Sequence, residues 1–320
     1  MASSTGSVKE TRPLFDSAEF ADHGTPAEPQ SGPAYRTELV ELYETDCFDW
    51  LRARERNSIH AIVTDPPYGF IEYQESHLAK LKNGRGGVWR IPPRLDGYTR
   101  APLPRFTVQT SRDLALMSRF FREWARLAYA VLVPGGHVFI ATNPLLSTRL
   151  YAAIQEGGFE QRGEFIRLVA TLRGGDRPKG AEREFPDVTV MPKSNFEPWG
   201  VFRKPCEGRV ADNLRKWKTG GLRRVSEAQP FADVFRCPPA GKEERQLAPH
   251  PSLKPQLLLR YLVRASLPLG EGIVLDTFAG SGSTLAAAQA IGYRAIGLEK
   301  NPEYVMLATE AIPKLARFQP

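Results

Sequence analysis

Cysteine is scarce: Cys47, Cys206 and Cys237 are the only three in 320 residues. An odd number at such wide spacing excludes a disulfide framework and a zinc site, and it suits a reducing compartment. No apolar run approaches the roughly 20 residues that cross a bilayer. The opening stretch, "MASSTGSVKETRPLF", lacks the basic-then-apolar order of a signal peptide. Internal repeats and a nuclease motif are also missing. These absences lead to the expectation of a cytoplasmic protein with no bound metal and no membrane partner. What is present suits a globular chain with a sizeable core, since 42% of the residues are hydrophobic and 25% charged.

Charge is spread unevenly. The formal net charge is +7, yet residues 1–30 hold five acidic side chains against two basic ones. Residues 76–112 hold eight basic side chains against Asp96 alone, and residues 203–224 hold eight against Glu207 and Asp212. Two basic segments in a near-neutral remainder are what a polyanion-binding surface needs, although a pair of solvated loops would look the same.

Residues 1–36 are rich in Ser, Gly, Pro and acidic side chains without periodicity, so a disordered tail is expected, followed by one domain over 37–320. "HAIVT" (60–64) is a β-branched run suited to a buried parallel strand. From Asp113 on, Met117, Phe121, Trp124, Leu127 and Val131 recur at helical spacing, and Pro134-Gly135-Gly136 is expected to end that helix. "HVFIAT" reads as a strand, 146–156 as an amphipathic helix closed by Gly157-Gly158, and a strand is expected near 164–172. Beyond it only "EPWGVFRK" reads as regular structure until Pro255, which opens a helix. "GIVLD", "STLAAAQAI" and "YRAIGLE" then alternate strand, helix and strand. Asn301 caps a last helix that has Pro302 in its first position. This alternation predicts an α/β fold on a mostly parallel sheet with helices on both faces. The stretches 71–112 and 173–249 are too long for simple connections and read as functional insertions.

The most informative segment is "IVLDTFAGSGSTLAAAQAIGYRAIGLE". A strand ends at Asp276, Gly280 and Gly282 allow close approach of backbone to a ligand, and a second strand ends at Glu299. No lysine follows Gly282, so this is not a phosphate-cradling Walker loop. Leu285 stands where a dinucleotide fingerprint needs a small residue, which counts against NAD. Glu299 is placed to accept both hydroxyls of a ribose. A nucleoside without a pyrophosphate fits best, and S-adenosylmethionine is such a ligand. Each residue taken alone also has a plain structural reading, as a tight turn or an exposed strand end. The same holds for "TDPPYGF" (64–70), which on its own is a stiff turn after a buried strand.

Together, "TDPPYGF" and "DTFAGSGST" resemble the amino-methyltransferases of DNA, which methylate adenine N6 or cytosine N4. Asp65, Pro66, Pro67 and Tyr68 match the catalytic motif of that family. Asp276, Phe278, Ala279, Gly280, Ser281, Gly282, Ser283 and Thr284 match its cofactor motif, with Glu299 as the ribose ligand. "HPSLKP", with His250, Ser252 and Lys254, is similar to the segment that contacts the methionine part of the cofactor, where Asp65 also borders it. "ETDCFDWL", with Asp46 and Cys47, resembles the piece beside the cofactor adenine. The catalytic motif precedes the cofactor motif, which resembles the permuted order of the β group. The insertion "WRIPPRLDGYTRAPLPRF" has no counterpart among these motifs.

The resemblance implies a Rossmann-like methyltransferase fold and methyl transfer from S-adenosylmethionine to the exocyclic amine of a flipped base in double-stranded DNA. Such an amine is a poor nucleophile, because its lone pair is delocalised into the ring. Asp65 and the Pro66 carbonyl would each accept one of its hydrogens and turn the lone pair outward, while Tyr68 would stack on the base. Asp as the first motif residue leans toward adenine N6, with cytosine N4 as the alternative. In the β group, target recognition occupies the place of 205–249, so Arg215, Lys216, Trp217, Lys218, Arg223 and Arg224 are candidates for DNA contact, with Arg90 and Arg94 in the 71–112 insertion. A homodimer, a cognate restriction enzyme on a separate chain and association with the nucleoid are compatible with this reading. Its rivals are RNA methylation, a non-catalytic nucleic-acid-binding module, and cytosine C5 methylation through Cys206, which would not need the Asp-Pro-Pro-Tyr element.

Overall fold

A computed structural model describes residues 32–67, 111–169, 174–250 and 252–320. Its centre is Ile59–Thr64 (β3), an almost wholly apolar run buried at five of six positions. A strand with no polar face must be covered on both sides, and parallel neighbours with crossover helices do this. Val40–Glu44 (β2), Arg294–Glu299 (β9), Ile273–Asp276 (β8), β3 and Leu132–Ala141 (β4) form that parallel block. Phe196–Arg203 (β6) runs antiparallel to β4 and to Glu160–Leu168 (β5), and Val234–Arg236 (β7) adds in parallel to β5. Tyr35–Arg36 (β1) closes the other side against β2. Among the described residues the order is β1-β2-β9-β8-β3-β4-β6-β5-β7.

Helices cover both faces, as the periodicity predicts. On one side Phe48 of Cys47–Ala53 (α1), Phe121 and Trp124 of Ser111–Val131 (α2) and Ile154 of Ser147–Glu156 (α3) form one buried cluster with Ile62 and Ile140. On the other, Leu262 of Gln256–Ser266 (α6), Leu285 of Ser283–Ala290 (α7) and Ile312 of Pro302–Arg317 (α8) pack on Val63 and Val274. Asn301 caps α8 through its side chain, with Pro302 first in the helix.

Four expectations need correcting. The long helix stops at Val131, and Pro134-Gly135-Gly136 lie inside β4 rather than ending the helix. Gly135 adopts φ +79°, and a Cβ there would meet Asn213 Nδ2 at 2.3 Å and Gly220 Cα at 2.9 Å, so this glycine serves a close approach. The strand expected near 164–172 runs from Glu160 to Leu168. The stretch 205–249 is more regular than its composition suggests, holding Val210–Trp217 (α4), β7 and Lys242–Leu247 (α5). At the N-terminal side, Tyr35 and Arg36 of the expected tail pair with Leu42 and Glu41.

The connections place the site. From β8 the chain passes through α7 to β9 on one side; from β3 it continues toward β4 on the other. The crevice at the carboxyl ends of β8 and β3 is therefore the topological switch point, where α/β sheets bind ligands. Asp276 ends β8 and Asp65 follows β3, so the glycine loop and the start of the Asp-Pro-Pro stretch open side by side.

Candidate functional site

Buried hydrogen bonds lock the two halves of the crevice together. Thr64 Oγ1 donates to Asp276 Oδ1 at 2.7 Å and lies 3.3 Å from Thr277 Oγ1, which accepts from Trp124 Nε1 at 3.1 Å. The Asp276 carboxyl also accepts the Phe278 N–H at 3.1 Å. Burial raises its pKa to about 6, against the opposing pull of Thr284, Thr64 and that N–H. The residue before Asp65 is thus tied directly to the first residue of the cofactor motif.

From there the chain makes a tight loop. Ala279 N–H donates to Leu298 O at 2.9 Å and Gly282 N–H to Ala279 O at 2.7 Å, while Ser281 and Ser283 hydroxyls meet at 3.0 Å. Gly280 N–H donates to Glu299 Oε2 at 2.8 Å and Asn301 N–H to Oε1 at 2.8 Å, which fixes the carboxylate at the end of β9. Burial raises the pKa of Glu299. Asp46 caps α1 by accepting the Phe48 N–H at 2.8 Å, and the next strand end is held to Glu299 through Thr45 N–H at 2.9 Å. Cys47 is buried, and burial pushes its thiol well up.

The His250–Lys254 segment closes the crevice. His250 is buried far enough to lower its pKa to about 4, so the ring is neutral. It packs edge-on against Tyr304, accepts the Ser252 N–H on Nδ1 at 3.2 Å, and has a buried Nε2 without a partner among the described residues. A Cβ on Gly280, whose φ is +50°, would stand 3.3 Å from that Nε2. A buried polar atom without a partner, over a glycine loop and beside a fixed carboxylate, fits a small polar ligand such as S-adenosylmethionine. Glu299, the glycine loop, Asp46 and His250 would hold it.

Lys254 reaches the end of β3 in this same crevice. Its Nζ donates to Asp65 Oδ2 at 2.5 Å, with Glu197 Oε1 at 3.8 Å on its other side. Glu197 accepts from Trp199 Nε1 at 2.8 Å and from Arg167 Nη1 at 3.2 Å. Thr64, Arg167, Glu197 and Gln256, whose Nε2 donates to Ser283 O at 2.9 Å, escape a motif-based reading. The available signal was a charge inside an apolar strand, as in "FIRL" and "FEPW".

The structure does not bring the second basic segment to this crevice. Arg203 pairs with His137, and Lys204 N–H donates to Gly136 O at 2.9 Å, both in the middle of β4, and Asn213 of α4 lies against Gly135, further from the carboxyl end. That places α4 at the opposite edge of the sheet, roughly 15 Å further down the strands. There Arg215 pairs with Asp212, Lys216 and Trp217 both donate to Glu207, and Arg223 bonds the Tyr293 hydroxyl. Lys218 donates to Arg215 O and Arg224 to Glu227 O. Cys206 lies at that edge too, 3.3 Å from where a Cβ of Gly220 would be. Tyr68, Arg90 and Arg94 lie outside the described residues.

The family model for DNA methylases matches residues 59–310. The type II methyltransferase M.HindIII of Haemophilus influenzae is 26% identical over 287 residues, covering 81% of this chain and 91% of its own. Among solved structures, the cytosine-N4-specific PvuII DNA methyltransferase superposes with a TM-score of 0.56 at 17% identity, covering 90% of this chain and 94% of its own. The Thermus thermophilus protein TTHA0409, complexed with S-adenosyl-L-methionine, superposes at 0.52 with 21% identity, covering 86% of this chain and 94% of its own.

Proposed function

The chain belongs to the DNA methylase family and methylates an amino group of DNA from S-adenosylmethionine, and on that premise we propose that its target is adenine N6 and that Asp65 receives the amine. The observation that carries the site is the switch-point crevice, where Asp65 stands one residue from the Thr64–Asp276 bond beneath the glycine loop. When bound, the cofactor supplies an electrophilic methyl group on sulfonium sulfur. The protein supplies orientation. Asp65 accepts one amine hydrogen, and the rigid Pro66-Pro67 backbone presents a carbonyl for the other. Tyr68 stacks on the extruded base. Asp276 and Thr284 shape the loop, Phe278, Ser281 and Ser283 line it, and Glu299 takes the ribose.

Adenine is favoured by Asp as the first residue of the motif. The test is incubation with labelled cofactor and duplex DNA, then nucleoside analysis: label in N6-methyladenine supports the reading, and label in N4-methylcytosine replaces it. Separate RNA pools are expected to stay unlabelled. The α4 cations do not enter this reading, because each has a local partner on the far edge. DNA reaches Asp65 from the carboxyl edge, where the loop of residues 174–195 also emerges between β5 and β6. By likeness to M.HindIII, a cognate restriction enzyme on a separate chain is part of the proposal, as are a cytoplasmic location and a homodimer measurable by sedimentation. No helix among the described residues is long and apolar enough to cross a membrane.

A further inference from the structure

Four charged side chains of alternating sign run from the antiparallel end of the sheet into the crevice. Arg167 on β5 and Glu197 on β6 are cross-strand partners in the ladder. Arg167 is 4% exposed, with Nε on Cys237 O at 3.0 Å, Nη2 on Pro238 O at 2.7 Å and Nη1 on Glu197 Oε2 at 3.2 Å. Glu197 holds Trp199 Nε1 through Oε1, the same oxygen that faces Lys254. Lys254 then reaches Asp65.

The energetics explain why a single pair would not serve. A lysine ammonium withdrawn from water beside one carboxylate is poorly compensated and sits on a flexible four-carbon stem. A second carboxylate balances its charge from the opposite side. That carboxylate is itself held at two points, by an indole N–H and a guanidinium whose remaining donors bind backbone carbonyls. Burial works against ionising both Glu197 and Lys254. For Glu197, Lys254 and Arg167 outweigh it and bring the pKa below its usual value. For Lys254, Asp65 and Glu197 outweigh it and raise the pKa. Arg167 also anchors Cys237 and Pro238, where the segment that leads to Lys254 begins. The hairpin thus fixes Lys254 through its partner and through its backbone.

We propose that Glu197 and Arg167 are positioning residues for methyl transfer, holding the Lys254 ammonium against Asp65 so that the carboxylate keeps one orientation toward the base amine. This rests on the reading that Asp65 receives the amine. The chain acts on the reacting group through two intermediaries, and it is built from strands rather than from the motif loops. Misplacing a reacting group by about 1 Å costs on the order of 100-fold in rate. Loss of the charge of Glu197 is therefore expected to lower kcat by about 10- to 100-fold.

The test is a mutant cycle on the full chain, with kcat, KM for DNA and for S-adenosylmethionine, and the pH profile of kcat as readouts. Glu197→Gln is expected to lower kcat with both KM values near the parent's. Its basic limb should move to lower pH, because Lys254 loses one of the two carboxylates that keep it protonated. Among the described residues the charged groups facing Lys254 are Asp65, Glu197 and Arg167, with neutral His250 on its own segment, so none of them offers another acid for that role. Glu197→Asp should recover much of the loss, whereas a Glu197 that merely packs would be served no better by Asp than by Gln. In a Lys254→Met background, Glu197→Gln should cost nothing further. A parental kcat and pH profile in Glu197→Gln, or full additivity with Lys254→Met, would overturn the proposal. Asp65→Asn separates the two layers: parental activity in that variant overturns the reading of Asp65 itself, whatever Glu197 does.

Discussion

The two edges of one sheet hold their charges differently. At the carboxyl edge, partners come from elements far apart in sequence: Lys254 with Asp65, Arg167 with Glu197, Thr64 with Asp276. At the opposite edge the cations of α4 find partners within a few residues, as Arg215 does in Asp212 and Lys216 in Glu207. Lys204, Arg203 and Arg223 flank the helix and reach further: Lys204 Nζ bonds Asn57 Oδ1, Tyr129 O and Leu132 O at 2.7–2.9 Å, Arg203 pairs with Glu160 and Arg223 bonds the Tyr293 hydroxyl, and those contacts tie this edge together. Long-range charge pairing in a crevice fixes geometry, which chemistry needs. Local pairing on a helix surface is weak and screened by salt.

The largest expected effect breaks the carboxyl edge at its centre. Asp65→Ala should lower methylation by 10²–10³-fold, about 3–4 kcal/mol of lost charge-assisted hydrogen bonding. Binding of S-adenosylmethionine, followed by calorimetry, should survive, since Glu299, Asp46 and the glycine loop are held without Asp65. Loss of cofactor binding together with activity would mean that Asp65 shapes the pocket rather than the reaction.

Much of this edge was legible from residues because its signals are local. The glycine loop, the Asp-Pro-Pro turn and the Asn301 cap each lie within a few consecutive positions, so spacing alone predicts their elements. The pairing of Lys254 with Asp65 was not legible, since 189 residues separate them and only the sheet order brings α6 against β3. Arg167 and Glu197 were hidden for the same reason, as cross-strand partners joined by a long loop. The α2–β4 boundary misled in another way. Pro-Gly-Gly ordinarily stops a helix, but here its middle residue lets the start of β4 lie against Asn213 and Gly220.

That glycine yields the next prediction, on the opposite edge. Gly135→Ala places a methyl group 2.3 Å from Asn213 Nδ2 and 2.9 Å from Gly220 Cα in a left-handed backbone conformation. A loss of about 3 kcal/mol in stability is expected, read from urea unfolding. The kcat of the folded fraction should stay near the parent's, because the strain lies at the far end of β4. A large fall in kcat at preserved stability would show that the two edges are coupled.

A titration sharpens the carboxyl edge further. Asp276 keeps its proton up to about 6 in the folded protein against 3.8 as its ordinary value. The folded state therefore binds more protons between those values, and the stability this group contributes is complete below pH 3.8 and lost as pH rises through 6. Asp276→Asn keeps an oxygen for the Thr64 hydroxyl but cannot titrate. The parent's stability relative to the variant should fall by about 2–3 kcal/mol between pH 4 and pH 7. A constant difference would place the Asp276 carboxyl near its ordinary value in the fold.

The smallest expected effect tests whether the basic far edge takes part in DNA binding. Arg215→Ala, Lys216→Ala and Lys218→Ala combined remove three cations from α4. Their partners, Asp212, Glu207 and the Arg215 carbonyl, are solvent-facing groups that lose little when left alone. If DNA reaches Asp65 from the carboxyl edge, affinity should change by less than about twofold and the salt dependence of binding should keep its slope. Were the duplex to wrap onto α4, each lost phosphate contact would reduce that slope by about 0.9, so three would be unmistakable. The salt slope is the better measure, because it counts phosphate contacts directly while affinity also absorbs any change in folding. An unchanged slope would assign the charge of α4 to its own local pairs and leave duplex binding to the carboxyl edge.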